Sequence, residues 1–155
     1  MKIAFTGAQS TGKTTLLKEL KRDPDLSLKY DFRDEITRRM QKKGLSINEG
    51  GSDITQLLIM NSHIKNSLID NVIMDRCALD GLVYTDWMCR KGKVQQWVIE
   101  YADNVFKMLI DRYDHIFYLV PEFDIEDDGV RSTDIDFRNE IVILFEKYIK
   151  AFDIP

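Results

Sequence analysis

The stretch that most constrains this chain is GAQSTGKT, residues 7–14, which follows the apolar run Met1–Phe5. Its glycines, its lysine and its final threonine fit G-x-x-x-x-G-K-[ST], a pattern in which backbone amides and a helix N-terminus surround a phosphate group. Because that arrangement needs a strand before the loop and a helix after it, the sequence predicts a strand at Lys2–Thr6 and a helix from Lys13. The residues expected to bind nucleotide phosphates are Gly7, Ala8, Gln9, Ser10, Thr11, Gly12, Lys13, Thr14 and Thr15.

Two side chains of this loop have predicted roles of their own. In such loops the lysine, here Lys13, reaches the β- and γ-phosphates of a nucleotide, and the hydroxyl after it, Thr14, binds Mg²⁺. The loop therefore predicts ATP and Mg²⁺ as cofactors. It leaves open whether the nucleotide drives a motor, sets a switch or donates its phosphate.

The length and charge of the chain limit the remaining classes. With 155 residues, of which 44% are hydrophobic and 31% charged, it predicts one globular domain over residues 1–155. The apolar runs are only a few residues long, so we expect no membrane span, and Cys77 and Cys89 fit the reduced thiols of a cytoplasmic protein. The net charge of −4 opposes a nucleic-acid module, although basic clusters at Arg38–Lys43 and Arg90–Lys93 keep one open.

Strand and helix patterns alternate along the chain, which predicts an α/β fold. We expect the three-layer P-loop architecture, with a parallel sheet of four to five strands flanked by helices. Strands are predicted at Lys2–Thr6, Leu28–Phe32, Asn71–Asp75 and His115–Val120. Helices are predicted at Lys13–Lys21, Glu35–Lys43, Asp53–Asp70, Leu79–Cys89, Val94–Ile110 and Asp134–Phe152. A fifth strand usually follows the last helix of such folds, and the sequence shows no pattern for it.

The strand pattern NVIMD ends in a carboxylate, Asp75, which a cation, Arg76, follows directly. Beside a phosphate loop, an aspartate in this place predicts a second ligand of Mg²⁺. A motor ATPase would carry a catalytic glutamate after it, and a guanine-nucleotide switch would carry an N-K-x-D segment, which the sequence lacks. The pattern therefore favours a phosphotransferase.

Two further places carry charges suited to phosphoryl transfer. Glu35 and Arg38 lie three residues apart, hence on one helix face, where we expect a base or hydroxyl anchor and a phosphate clamp. A surface ion pair is the alternative reading. Arg131, in EDDGVRSTD, is expected to close over the transferring phosphoryl group from a lid at about 121–134. For Arg131 the alternative is charge balance with its acidic neighbours.

Four segments, GAQSTGKTT, DEITRR, DRCALDGLVY and DDGVRSTD, together resemble the P-loop kinases grouped as AAA_28. The ribosylnicotinamide kinase domain typifies this group, which is common in bacteriophage genomes and related to nucleoside and nucleotide kinases. The resemblance implies three matches beyond the loop. They are E-x-x-R at Glu35 and Arg38, D-R with a later Asp and aromatic at Asp75, Arg76, Asp80 and Tyr84, and a lid G-x-R at Gly129 and Arg131.

The motifs and the resemblance together predict a kinase that uses Mg²⁺ and ATP and acts on a nucleoside or nucleotide. The catalytic residues are predicted to be Lys13, Asp75, Glu35 and Arg131, and the metal ligands Thr14 and Asp75. The acceptor is predicted to contact Glu35, Arg38, Arg76, Asp80 and Tyr84. Two alternatives remain: a kinase acting on 5-hydroxymethyluracil within DNA, as similar small phage kinases do, and a regulatory module that hydrolyses ATP slowly. The sequence does not indicate an oligomeric state.

Overall fold

The structure, a computed structural model, describes residues 1–122 and 134–154. The strands within these residues are β1 (Lys2–Thr6), β2 (Asp31–Arg33), β3 (Val72–Asp75) and β4 (His115–Tyr118). The helices are α1 (Lys13–Arg22), α2 (Pro24–Lys29), α3 (Ile36–Lys42), α4 (Asp53–Ser67), α5 (Ala78–Arg90), α6 (Gln96–Leu109) and α7 (Ile135–Ala151). Short 3-10 turns occur at Asn48–Gly50 and Ile110–Arg112.

The strands form one parallel sheet in the order β2–β3–β1–β4. In the central strand β1, Ile3 lies opposite Ile73 of β3 on one side and opposite His115 of β4 on the other. Because the strands run parallel, their carboxyl ends and the loops that follow lie along one edge of the sheet. The described residues confirm the predicted α/β fold, a parallel sheet of four strands flanked by helices.

Successive residues of the central strands face opposite layers of helices. Ala4 and Met74 belong to the main core, which buried side chains of α5, α6 and α7 complete. Phe5 and Ile73 point the other way and pack with Leu17 of α1. Covering on both faces explains why these strands are apolar almost throughout. It also holds the carboxyl ends of β1 and β3 firmly beside the phosphate loop.

The second strand is later and shorter than the predicted Leu28–Phe32, and Leu28 lies in a helix that the sequence reading missed. The side chain of Asp23 caps α2 by accepting hydrogen bonds from the backbone amides two and three residues later. Pro24 occupies the first turn of α2, where a missing N–H costs nothing. The pair Asp23–Pro24 therefore ends one helix and starts the next.

The other helices agree with the prediction to within a few residues. Ser52 caps α4, and that helix ends at Ser67 rather than at the predicted Asp70. In the part of the chain that the structure describes, no helix is long and apolar enough to cross a membrane. The predicted lid at about 121–134 lies almost wholly outside the described residues, and both the lid and the single-domain assignment stay predictions.

Candidate active site

The phosphate-binding loop leaves β1 after Thr6 and enters α1 at Lys13. Gly7 has a φ of 137°, and a Cβ at this position would lie 2.5 Å from the carbonyl oxygen of Leu119, so the turn requires glycine. Gly12, with a φ of 81°, is the N-cap of α1. A glycine-rich turn that leads into a helix N-terminus is an arrangement suited to an anion.

The side chain of Lys13 lies back across the loop and is almost fully buried. Its ammonium donates hydrogen bonds to the carbonyl oxygen of Ala8 and, over 2.8 Å, to Oγ1 of Thr11. Burial first, and then the charge of Arg76, lower the pKa of Lys13 to about 7. A polyphosphate beside it would supply the negative charge that keeps this ammonium protonated.

Thr14 and Asp75 meet where α1 begins and β3 ends. The Thr14 hydroxyl donates a hydrogen bond of 2.6 Å to Oδ2 of Asp75, while Oδ1 of Asp75 is buried and accepts no hydrogen bond in the described chain. Burial, followed by the charge of Glu35, raises the pKa of Asp75. A carboxylate with a spare oxygen beside a hydroxyl is a donor set that Mg²⁺ prefers, so these residues fit the ion.

A buried ion cluster, formed by Glu35, Arg76 and Asp80, lies next to Asp75. Nε of Arg76 is 2.7 Å from Oε1 of Glu35, and Nη1 is 3.1 Å from Oδ1 of Asp80. All three residues are less than 10% exposed. The other carboxylate oxygen of Asp80 accepts hydrogen bonds from the Thr6 hydroxyl and from the amide of Cys77. The cluster therefore ties the segment after β2 to β1 and to the first turn of α5.

Arg76 has a backbone conformation that non-glycine residues rarely adopt, with a φ of 78°. Its guanidinium lies 5.1 Å from the centre of the Tyr84 ring, a cation–π arrangement, and the Tyr84 hydroxyl donates a hydrogen bond of 3.2 Å to Oε1 of Gln9 in the phosphate loop. Backbone strain of this kind persists where the surroundings fix the side chain. Here two carboxylates and an aromatic ring fix it.

Arg38 extends the site towards solvent, with its Nε 3.3 Å from Oε2 of Glu35. It lines an open groove of about 330 Å³. We call this the inner groove; its basic lining residues are Lys18, Arg33, Arg38, Arg39 and Lys42. Thr14 and Glu35 line it too, so the groove opens directly onto the site.

A small cavity lies on the other side of the ion cluster, between α3, α4 and α5. It encloses about 30 Å³ in this conformation, and Gln56, His63, Arg76, Asp80, Gly81 and Tyr84 contribute to its lining. A Cβ on Gly81 would overlap Sδ of Met60, so the glycine lets α4 and α5 approach closely. His63 is buried with no partner for Nδ1 in the described residues, and burial lowers its pKa to about 4.

The structure brings nearly all the predicted site residues together at the carboxyl edge of the sheet. The phosphate loop, Thr14, Asp75 and the ion cluster adjoin one another, and Arg38 and Tyr84 contact that cluster. Arg131 and Gly129 lie outside the described residues. Sequence reasoning gave neither Gln56 nor His63 a role in the site, because neither belongs to a motif. Both lie on the buried face of α4, while the apolar Ile54 and Leu58 of that helix are exposed, so hydrophobic periodicity gave no signal for them.

Solved structures with a similar fold include kinases. The NadR protein in complex with NR aligns with a TM-score of 0.73 and 21% identity over 97% of this chain and 42% of that one. Deoxyadenosine kinase from M. mycoides with bound dCTP aligns with a TM-score of 0.67 and 18% identity over 100% and 87%. The YorR protein from Bacillus subtilis in complex with phosphorylated GDP aligns with a TM-score of 0.53 and 15% identity, over 100% of this chain and 82% of that one.

This chain thus spans less than half the length of the NadR protein. No curated protein matches its sequence. The family model AAA_28, described as an AAA domain, matches residues 2–155, which confirms the resemblance that the four motifs indicated.

Proposed function

The chain belongs to the AAA_28 family, and from this premise we propose that it is an ATP-dependent kinase acting on a nucleoside or nucleotide. One observation carries the proposal. A phosphate loop, a hydroxyl–carboxylate pair and a buried cluster of acidic and basic side chains lie together at the ends of neighbouring parallel strands. The fold that the chain shares with solved kinases supports it.

The loop holds the donor. Backbone amides around Gly12 bind the triphosphate, and the Lys13 ammonium exchanges its contacts with Ala8 and Thr11 for phosphate oxygens. Thr14 and Asp75 would hold Mg²⁺, which neutralises charge on the β- and γ-phosphates when bound. Because the Thr14 hydroxyl and Asp75 bond to each other, binding of the ion replaces an existing contact rather than filling an unshaped site.

The ion cluster and Arg38 organise the acceptor side. Arg76, held by Glu35 and Asp80, presents a fixed positive charge beside Asp75, while Arg38 reaches outward into the inner groove. An acceptor hydroxyl must lose a proton as the phosphoryl group arrives, and Asp75 and Glu35 are the two carboxylates in place to take it. Arg131, outside the described residues, would close over the transferring group from the lid.

The acceptor itself is assigned to the region between α3, α4 and α5. The cavity there measures only about 30 Å³ in this conformation, so a planar ring enters only as α3 or the α4 side chains move outward. Tyr84 and Arg76 offer stacking and charge to such a ring, and Gln56 and His63 offer hydrogen bonds. The ring of a nucleoside or nucleotide suits these groups.

The test is transfer of label from γ-labelled ATP to a panel of nucleosides and nucleotides in the presence of Mg²⁺. We expect at least one labelled product, and its loss in Lys13→Ala. A regulatory ATPase would instead release labelled phosphate with no acceptor present and label no member of the panel. That second pattern would overturn the proposal, and so would an absence of any ATP turnover.

A further inference from the structure

A second pocket continues the inner groove away from the active site. This outer groove has a volume of about 410 Å³, and its basic lining residues are Arg33, Arg39, Lys43 and Lys65. Arg33 and Arg39 line both grooves, so the two adjoin, and we call them together the basic track. The track begins at Thr14 and Glu35 beside the phosphate loop and ends near the last turn of α4.

The charge of the track is exceptional for this chain. It gathers seven of the 22 lysines and arginines of a protein whose net charge is −4: Lys18, Arg33, Arg38, Arg39, Lys42, Lys43 and Lys65. Asp34 and Glu35 line the inner groove, and Glu35 is already paired with Arg38 and Arg76. Within the described residues, no acidic side chain lines the outer groove.

Most of these cations have no carboxylate to balance them. In the described part of the chain, Arg39, Lys42, Lys43 and Lys65 form no ion pair, and Nε of Arg33 is buried without a hydrogen-bond partner. The weak contact of 3.4 Å between Arg33 and Asp31 is the exception. Unbalanced charges held side by side repel one another, and an anionic ligand relieves that repulsion.

Helix α3 contains two pairs of like charge at a spacing of four residues. Arg38 and Lys42 form one pair and line the inner groove, whereas Arg39 and Lys43 form the other, at the helix end, and line the outer groove. Such pairs destabilise a helix. The dipole of α3 favours cations in its last turn. It does not explain why Lys18 of α1, Arg33 of β2 and Lys65 of α4 converge on the same track.

We propose that the basic track binds the phosphate backbone of a single-stranded nucleic acid and leads one of its nucleotides to the kinase site. A single acceptor nucleotide would need charges only around Arg38, whereas the outer groove lies beyond it. A strand is favoured over a duplex because an enzyme that acts on one nucleotide of a polymer must take it out of the base stack. This inference rests on the proposed function, since it assigns the acceptor of the same site.

The test measures binding of a fluorescent single-stranded DNA oligonucleotide by anisotropy over a series of salt concentrations. For single strands the logarithm of the affinity falls with the logarithm of salt by about 0.7 per phosphate contacted. We expect Arg39→Ala/Lys43→Ala to reduce that slope by about 1.4 and to weaken binding roughly tenfold at low salt. The matched control is Arg112→Ala/Lys150→Ala, which removes one exposed arginine and one exposed lysine outside the track and should leave the slope unchanged. Thermal melting of each variant checks that the fold is retained.

The proposal is overturned if the wild type binds no oligonucleotide, if both double variants lose the same slope, or if inorganic polyphosphate of equal charge competes as well as the strand. Transfer of label from γ-labelled ATP, measured on the same preparations, separates this proposal from the kinase assignment. Label on small acceptors without strand binding would remove the track and keep the kinase. Strand binding without transfer of label to any acceptor would keep the track as a binding surface and overturn the kinase assignment.

Discussion

The phosphate loop and the basic track both suit anions, but they are built in opposite ways. The loop relies on backbone amides and one buried ammonium, Lys13, in a geometry that Gly7 makes possible. The track relies on long side chains that mostly lie in solvent, such as Arg39 and Lys43. Fixed dipoles recognise one shape and need little reorganisation when the anion binds. Exposed charges attract any polyanion, and salt screens them. The two meet at Thr14, beside the buried ion cluster.

The largest effect is expected from Asp75→Asn, which keeps the shape beside the loop and removes its charge. Phosphoryl transfer should fall about 10³-fold, because Mg²⁺ would lose the carboxylate of Asp75 as a ligand and the acceptor hydroxyl would lose one of its two candidate bases. Stability should rise, since burial and Glu35 raise the pKa of Asp75 and the fold therefore disfavours its ionised form. Single-turnover transfer and urea unfolding measure both effects. Asp70→Asn, at an exposed carboxylate, is the control. Unchanged transfer in Asp75→Asn would place the catalytic centre elsewhere.

Glu35→Ala tests whether the ion cluster beside the phosphate loop and the basic track is truly buried. It leaves the Arg76 guanidinium with one carboxylate in place of two, so we expect a loss of about 4 kcal/mol in the free energy of unfolding. Glu19→Ala breaks an exposed pair with Arg22 and should cost less than about 1 kcal/mol. Urea denaturation at neutral pH compares them. Equal losses would mean that the cluster is solvated like the track.

The buried His63 makes the free energy of unfolding depend on pH, a property that the track does not contribute. Because burial lowers its pKa from 6.5 to about 4, the unfolded chain binds a proton before the folded one does as the pH falls. The stability that neutral His63 contributes is present above pH 6.5 and is lost as the pH falls towards 4, by up to about 3 kcal/mol. His63→Gln should remove this part of the pH dependence of unfolding. His115→Gln, at an exposed histidine, should leave this pH dependence unchanged. Identical pH profiles of unfolding for both variants would contradict the assignment of this pH dependence to His63.

The smallest effect is expected from Arg39→Ala, on the track. Its side chain is exposed and unpaired among the described residues, so the free energy of unfolding should change by less than about 0.5 kcal/mol. Any loss in transfer to a nucleotide should fade towards 1 M salt, where the Debye length is about 3 Å. The loss caused by Asp75→Asn should persist there. Salt titration of both variants separates screened from buried electrostatics.

The sequence predicted the donor side well because its motif specifies backbone geometry. A turn in which Gly7 is required can be recognised from the spacing of a few residues, and Asp75 and Arg76 follow a strand that is apolar throughout. The helix that begins after Asp23 was missed, because Asp23 and Pro24 suit a helix stop as well as a helix start.

The basic track could be predicted only in part. The cluster Arg38–Lys43 is visible in the sequence, but Lys18, Arg33 and Lys65 come from three other elements and converge only through the sheet order. The partners of Arg76 were equally hidden, since its φ of 78° turns the side chain towards Glu35 in a way that no periodicity encodes.

The close approach of α4 and α5 at Gly81 also limits the order in which this protein can change over evolution. A side chain at position 81 collides with Met60, while a smaller residue at position 60 alone leaves a hole in the core that costs about 2–5 kcal/mol. The first change displaces a flexible but buried side chain and the second leaves a hole, so each change compensates for the other. A lineage that reshapes the cavity for a different acceptor therefore loses least stability when it changes positions 60 and 81 together.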